Sequence, residues 1–308
     1  MQFGVHIPVI VGDDDDPSLA DFVRYGVTAE RLGYSTIATS DHVVARGGWV
    51  DGPTILSAVA GTTSSIELAT AILLPALRHP ATVAQTFGTL DRLSGNRVIL
   101  GVSGGVLRDE FDLMDVPWEE RWQRLDEAIV VLRRFWSDDA PRFKGRFYHV
   151  DGVGPRPRPE RGGPPIWIGS WGSDRGLDRV ARLGDGWIAS GFNITPERFS
   201  TAWQSLAERR AALGKDPESF DNALASIFFY ITSDPVEAKR VARDILGPAL
   251  NRDPDDLLRL ALMGSAEECA ERLARFRDSG VQRAWIWPAT DSETQIQRFA
   301  EEVIPLLR

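Results

Sequence analysis

The 308-residue sequence has almost no cysteine and no long apolar run. Its only cysteine, Cys269, falls in the helical pattern SAEECAERLARF, which excludes a disulfide framework and a thiolate metal cluster. No N-terminal apolar run follows basic residues, and no segment has 18 consecutive apolar residues. These absences predict a cytoplasmic protein that has no membrane partner.

An excess of positive charge is also missing. Asp and Glu number 44 against 35 Lys and Arg, which gives a formal net charge of −9. A nucleic acid or an anionic membrane needs a basic surface, and this balance does not supply one. The sequence therefore predicts small molecules, and no nucleic acid, as partners, and it leaves a homodimer open.

Apolar runs alternate with amphipathic stretches along the whole sequence. In the first amphipathic stretch Ser18 and Asp21 have the spacing of a capping box, apolar residues from Leu19 onward share one face, and Gly33 ends the helix. Seven further strand and helix pairs follow. The eight predicted strands are QFGVHIPVI, STIATS, IELATAILL, RVILGVSGG, PPIWIGS, DGWIAS, NALASIFFYIT and VQRAWIWP.

Eight such units predict a (β/α)₈ TIM barrel, because each parallel crossover needs a helix. The irregular stretch SDDAPRFKGRFYHVDGVGPRPRPERGG follows the fourth helix, and we interpret it as an excursion with a small hairpin because the alternation resumes after it. Residues 1–308 are thus expected to form one domain. A doubly wound open sheet is the alternative, although the first turn lacks the glycine-rich motif typical of it.

Three of the four histidines lie in or directly after predicted strands. In a barrel of this type the carboxyl ends of the strands form the active site, so His6, His42 and His79 are candidates, whereas His149 lies elsewhere. His42, beside Asp41, is the strongest because imidazole suits proton transfer near neutral pH. The alternatives are a core role for His6 beside a carboxylate, a helix cap at His79, and a zinc site that no ligand spacing supports.

Two further loops have compositions typical of ligand sites. GVSGG, residues 101–105, has glycines that let a backbone approach a flat ligand or an anion, although plain turns use them too. IGSWGSDRG, residues 168–176, places serines where a strand meets a helix N-terminus, which suits either a phosphate or a simple helix cap at Ser173. The acidic run Asp13 to Asp16 precedes the first helix, where the helix dipole tolerates carboxylates, and a metal site there is the alternative.

Three segments together resemble the luciferase-like monooxygenase superfamily, and most closely its branch of deazaflavin (coenzyme F420)-dependent oxidoreductases. They are LPALRHPATVAQTFGTLDRLSGNRVILGV, GVSGGVLRDEFDLMDVPWEERWQRLDEAIVVLRRFW and PPIWIGS…RVARLGDGWIAS, and the likeness in order and spacing runs from residue 2 to 190. The resemblance implies a TIM barrel that binds F420, or alternatively FMN, at the carboxyl ends of its strands.

The resemblance also implies roles for particular residues. Asp41 and His42 would be catalytic, with His42 acting near the cofactor ring, and a cis peptide bond between Ala71 and Ile72 would support that ring. The other matching positions in cofactor-binding segments are Ser103, Gly104, Gly105, Ser170, Trp171, Gly172 and Ser173. His6, at the first strand, is a further candidate for cofactor binding.

The sequence departs from the superfamily at one position that bears on the substrate. Val106 stands where sugar-phosphate dehydrogenases carry a catalytic glutamate, so that substrate class is not assigned, and the roles of Glu110 and His79 stay open. The function implied is F420-dependent hydride transfer to or from a small organic substrate. The alternatives are an FMN-dependent monooxygenase that uses reduced flavin and oxygen, and a flavin-binding barrel that is not catalytic.

Overall fold

The computed structural model describes residues 1–11, 17–45, 48–216 and 219–307. Its strands differ in length from two to eleven residues, and most belong to one large sheet. They are β1 (Gln2–His6), β2 (Ile10–Val11), β3 (Thr36–Thr39), β4 (Gly48–Trp49), β5 (Glu67–Thr70), β6 (Val98–Val102), β7 (Arg142–Lys144), β8 (His149–Asp151), β9 (Ile166–Gly169), β10 (Gly186–Ser190), β11 (Asp221–Ile231), β12 (Leu262–Gly264) and β13 (Arg283–Pro288).

Eight of these strands close into a parallel barrel. The order around the barrel is β1, β3, β5, β6, β9, β10, β11 and β13, and β13 pairs with β1 to close the ring. Each of the eight strands overlaps one of the eight apolar runs predicted from the sequence, so the TIM barrel is confirmed. The sequence did not predict β12, which pairs with the end of β11 outside the ring.

Helices connect successive barrel strands and cover the outside of the barrel, as parallel connections require. They are α1 (Leu19–Arg31), α2 (Gly52–Ala60), α3 (Pro80–Leu93), α4 (Arg108–Leu113), α5 (Arg121–Ser137), α6 (Asp174–Leu183), α7 (Pro196–Ala212), α8 (Pro235–Val241), α9 (Gly247–Leu250), α10 (Pro254–Leu260), α11 (Ala266–Asp278) and α12 (Ser292–Arg298). In the part of the chain that the structure describes, none of them is long and apolar enough to cross a lipid bilayer.

Helix α1 shows which local signals the sequence carries. The predicted capping box between Ser18 and Asp21 is present, and Gly33 follows the helix with a φ of 83°. Phe22 and Ala29 of the predicted apolar face are buried, but Leu19 at its start is 55% exposed. The buried face of α1 also includes Tyr25 and Gly26, and Gly26 fits closely against Val59 of α2.

Two small antiparallel pairs lie outside the barrel. Strands β7 and β8 form the hairpin predicted in the excursion that follows α5. Strands β2 and β4 pair with each other, and the sequence did not predict this pairing. It joins the loop after β1 to the loop after β3 and thereby places Trp49 at the carboxyl end of the barrel.

Two tryptophans and several alanines fill the barrel interior. Trp167 and Trp285 stack with ring centroids 5.7 Å apart and an interplanar angle of 12°. Alanines supply the space for them, and the same buried cluster includes Ala38, Ala69, Ala71, Ala223 and Ala225. Because side chains fill the interior, no channel runs through the barrel. A ligand site is therefore expected at the carboxyl-terminal mouth.

Candidate active site at the barrel mouth

A histidine and a buried carboxylate meet at the mouth. His42 follows β3, and its Nδ1 lies 3.1 Å from Oε1 of Glu110, which belongs to α4 after β6. The same oxygen accepts a hydrogen bond from the backbone N–H of Val43 at 2.8 Å. Because Oε1 acts as an acceptor for Val43, we assign the shared proton to Nδ1 of His42, which leaves Nε2 with a free lone pair.

The environments of the two partners differ. Glu110 is completely buried, and its Oε2 has no hydrogen-bond partner in the described residues, whereas the His42 side chain is 22% exposed. The rings of His42 and Trp49 meet edge-to-face, with their centroids 4.5 Å apart. His42 is therefore held on two sides and still reaches solvent, which suits a group that exchanges a proton with a ligand.

Asp41, the neighbour of His42, is tied into a network of its own. Its carboxylate accepts hydrogen bonds from the guanidinium of Arg78, the shortest at 2.7 Å, and from the backbone N–H of Leu74. Arg78 also binds Asp51, the N-cap of α2. Burial lowers the pKa of Arg78, but these two carboxylates outweigh burial and raise the pKa above its ordinary value. Asp41 therefore fixes the loops after β3 and β5 to each other.

The loop after β5 has the backbone geometry that the resemblance implied. The peptide bond between Ala71 and Ile72 is cis, as predicted. Neighbouring strands hold this segment, because Ser40 Oγ donates to the Ala71 carbonyl at 3.0 Å and the Leu73 N–H donates to the Gly101 carbonyl at 2.8 Å. Ile72 is half-buried between buried neighbours, so it presents an apolar surface at the mouth.

The segment after β6 lies directly beside this surface. The Ser103 N–H donates to the Leu73 carbonyl at 3.1 Å, and Ser103 Oγ donates to the Gly169 carbonyl at 3.3 Å. A side chain at Gly104 would meet the ring of Trp122, because an added Cβ would lie 2.6 Å from it. Gly105 has a φ of 79°. These two glycines allow the chain to turn closely from β6 into α4.

The turn after β9 leads into the N-terminus of α6. Ser173 is the N-cap of α6, where its Oγ accepts a hydrogen bond from the N–H of Gly176 at 3.3 Å, so the predicted helix cap is confirmed. Ser170 Oγ accepts from the N–H of Gly172 at 3.2 Å, and Trp171 between them is 54% exposed. The first-turn amides of α6 have no carbonyl partner within the helix and carry its positive dipole end, which suits a phosphate group.

His6 lies at the mouth but does not reach its surface. It is fully buried, its ring stacks on Trp287 at 4.4 Å, and neither ring nitrogen has a hydrogen-bond partner in the described residues. The carboxylate expected in its core role is therefore not bonded to it. Burial lowers the pKa of His6 to about 3, so it is neutral at pH 7.

The remaining histidines lie away from His42 and His6. His79 is the N-cap of α3, with Nδ1 accepting from the N–H of Ala81 at 3.2 Å, as the capping alternative predicted. His149 lies in the hairpin strand β8. Within the described ranges no three His, Cys, Asp or Glu side chains are close enough to share a metal ion. The acidic run Asp13 to Asp16 lies outside the described residues.

The sequence left the role of Glu110 open and did not point to Trp49, Phe228 and Trp287. These three aromatic residues line the mouth or lie directly behind it. Glu110 lies in RDEFDL, a stretch that resembles an ordinary charged helix face. The only signal for Trp287 was the alternation in RAWIWP, which places two tryptophans on the same side of β13. No local pattern could show that Trp49 joins them, because the pairing of β2 with β4 puts it there.

The mouth of this parallel barrel thus combines a histidine–carboxylate pair, an apolar surface and a helix N-terminus. A sequence model of the luciferase-like monooxygenase family matches residues 1–283. The chain belongs to that family.

Several proteins of similar sequence are F420-dependent enzymes. The chain is 28% identical to an F420-dependent glucose-6-phosphate dehydrogenase of Amycolatopsis mediterranei, over 94% of each chain. It is 29% identical to an F420-dependent hydroxymycolic acid dehydrogenase of Mycobacterium tuberculosis, over 93% of this chain and 84% of that protein. The solved structure of an F420-dependent secondary alcohol dehydrogenase with an F420–acetone adduct has the same fold, with a TM-score of 0.85, 22% identity, and coverage of 100% and 99% of the two chains.

Proposed function

We propose that the protein is an F420-dependent oxidoreductase that transfers a hydride to or from a small organic substrate. The observation that carries the proposal is the pair of His42 and Glu110 beside the loop after β5 in a chain whose relatives use F420. A deazaflavin supplies hydride chemistry at its C5 when it is bound. The protein must then hold the cofactor, orient the substrate and move one proton.

The residues at the ends of β5, β6 and β9 fit such a cofactor. We name these positions the cofactor cradle. Ile72 presents an apolar surface for a flat ring, and the glycines after β6 keep the neighbouring backbone close. The α6 N-terminus suits the phosphate. The cradle consists of the predicted residues Ala71, Ile72, Ser103, Gly104, Gly105, Ser170, Trp171, Gly172 and Ser173; buried His6 supports the mouth from behind.

In this proposal His42 moves the proton. Nδ1 is held by Glu110, so Nε2 can accept the hydroxyl proton of an alcohol as the hydride leaves its carbon, or return a proton to a carbonyl in the opposite direction. Asp41 touches Arg78 and the Leu74 N–H instead of the His42 ring, and we assign it a positioning role. Val106 stands where sugar-phosphate dehydrogenases carry a catalytic glutamate. Its side chain is 59% exposed and cannot exchange a proton, so we assign the proton transfer to His42.

Replacing Glu110 by Leu tests how His42 is oriented. Leucine fills a similar space but cannot accept a hydrogen bond, so the Nδ1–H form of His42 loses its preference. We expect kcat to fall about ten- to a hundredfold, the range typical for a residue that orients a histidine, with KM nearly unchanged. Nitrogen-15 NMR of the His42 ring in the cofactor-free protein should show the Nδ1–H tautomer only in the wild type. An unchanged tautomer and unchanged kcat in Glu110→Leu would contradict this role.

Calorimetric titration with F420 and FMN side by side tests the cofactor. We expect tighter binding of F420, because the relatives named above are F420-dependent. Binding of FMN at micromolar or lower Kd with no binding of F420 would favour the alternative, an FMN-dependent monooxygenase, which would also consume oxygen during turnover. Retention of the cofactor with no turnover of any substrate would favour a binding protein that is not catalytic.

Other parts of this proposal concern the whole chain. We propose that residues 1–308 form one domain, since β1 and β13 from opposite ends of the sequence are neighbours in the barrel. The lack of nucleic-acid and membrane partners and a cytoplasmic location stay predictions from composition and charge. A homodimer stays open, and size-exclusion chromatography with light scattering would decide it.

A further inference from the structure

A continuous set of aromatic rings lies across the mouth from the cofactor cradle. His6, Trp287 and Phe228 come from the neighbouring strands β1, β13 and β11 and stack in that order, at 4.4 and 5.0 Å between centroids. Trp49 meets Trp287 edge-to-face at 6.0 Å, and Phe192 extends the set beyond Phe228 at 5.3 Å. We name these five residues the aromatic wall.

The position of the aromatic wall follows from the order of the strands. The cradle is built on β5, β6 and β9, and the stacked rings of the wall, His6, Trp287 and Phe228, on β1, β13 and β11, so the two lie on opposite sides of the ring with β3 and β10 between them. His42 follows β3, and its ring meets Trp49 of the wall at 4.5 Å. A substrate that reaches both the cradle and His42 therefore has the aromatic wall on its remaining side.

The wall has two properties that favour an aromatic ligand. Both faces of Trp287 are covered by His6 and Phe228, and its exposed fraction is only 5%, so it can offer the mouth only its ring edge. Ring edges carry partial positive charge and attract the face of another aromatic ring. In addition, the indole Nε1 of Trp49 is buried and has no acceptor in the described residues, a donor that a ligand oxygen near His42 would satisfy.

We propose that the substrate is an aryl-substituted alcohol or the matching aryl carbonyl compound, with its ring on the aromatic wall and its oxygen at His42. This inference rests on the proposed function. In the oxidation the carbinol C–H bond breaks and its hydrogen leaves with both electrons as hydride to the deazaflavin, which is reduced. The O–H bond breaks as its proton passes to His42 and then to water, and the carbon–oxygen double bond forms.

Two ketones of similar size separate aromatic recognition from simple apolar burial. Acetophenone and cyclohexyl methyl ketone are titrated into wild-type protein saturated with F420, and glucose 6-phosphate serves as a third probe. We expect acetophenone to bind about three- to tenfold more tightly than the saturated ketone, because edge-to-face contacts distinguish an aromatic ring from an aliphatic one. We expect no binding of glucose 6-phosphate at the same concentrations.

Single substitutions test which side chains cause the preference for acetophenone. Trp287→Leu should remove it, because Trp287 supplies the ring edge, while Trp203→Leu, which deletes a half-buried indole on the outer helix α7, should keep it. If Trp287→Leu does not fold by circular dichroism, Phe192→Leu at the outer end of the wall serves the same purpose. Equal binding of the two ketones, tighter binding of glucose 6-phosphate, or a preference that survives both wall variants would overturn the proposal.

This design tests the proposed cofactor and the proposed substrate class separately. F420 is titrated first, and failure to bind it contradicts the proposed function. The ketone titrations are then repeated on cofactor-free protein, where a preference for acetophenone that depends on Trp287 supports the aromatic wall and its absence counts against it.

Discussion

His42→Ala should lower turnover by about 10²- to 10⁴-fold, the contribution usual for a residue that transfers a proton in the transition state. The side chain contacts Glu110 and Trp49 but is partly exposed, and the Val43 N–H continues to satisfy Oε1 of Glu110 after its removal. We therefore expect Tm and the Kd for F420 to stay close to the wild-type values. Steady-state kinetics, thermal denaturation and calorimetry on the same preparation measure all three quantities.

His79→Ala is the matched control for this prediction. His79 caps α3 and has no contact with His42, so its loss should lower stability by about 0.5–2 kcal/mol, as the loss of other N-caps does, with turnover per folded molecule intact. The two histidine variants should thus show opposite effects. If His42→Ala lowered Tm and kept full turnover, His42 would only brace the loop after β3, and its catalytic role would be wrong.

Gly101→Ala should cause the largest loss of stability. Gly101 lies in β6, and an added Cβ would be 2.0 Å from the carbonyl oxygen of Thr70 and 2.5 Å from the side chain of Ile188. The carbonyl belongs to the neighbouring barrel strand and cannot move without breaking strand pairing. We expect a loss of at least about 3 kcal/mol, the upper end of the usual cost of overfilling a core. Urea denaturation measures it.

Gly61→Ala provides the comparison for Gly101→Ala. Gly61 ends α2 at a φ of −71°, and an added Cβ would lie no closer than 3.6 Å to any neighbour. The substitution should therefore leave stability unchanged or raise it slightly, because alanine restricts the unfolded chain. Wild-type stability in Gly101→Ala would mean that β5 and β6 are farther apart than described, which would also change the support of the Ala71–Ile72 segment.

The barrel could be predicted because its signals are local. Each buried parallel strand is a short apolar run, and each is followed by a stretch with helical periodicity, so counting the pairs was sufficient. Leu19 shows the limit of this reasoning. Its spacing agrees with the apolar face of α1, where Phe22 and Ala29 are buried, but Leu19 is the first residue of the helix and is exposed. Periodicity within one helix carries no information about where along the helix its packing begins.

The candidate site could be predicted only in part, for a similar reason. His42, Ala71 and Ser173 follow strands, so their placement at the mouth follows from the barrel. Glu110 reaches His42 from 68 positions away in the sequence, and Trp49 reaches the mouth through a two-residue strand pairing. Contacts between distant loops depend on the closed ring of strands, and no single segment of sequence records them.

The position of the cofactor tests this account most directly. A crystal structure of the F420 complex measures where the deazaflavin ring and its phosphate lie relative to His42. We predict the ring on Ile72, the phosphate at the turn before α6, and Nε2 of His42 facing the space between the ring and Trp49. A ring outside the cofactor cradle, or a ring whose reactive face points away from His42, would contradict the assignment of both the cofactor site and the proton-transfer residue.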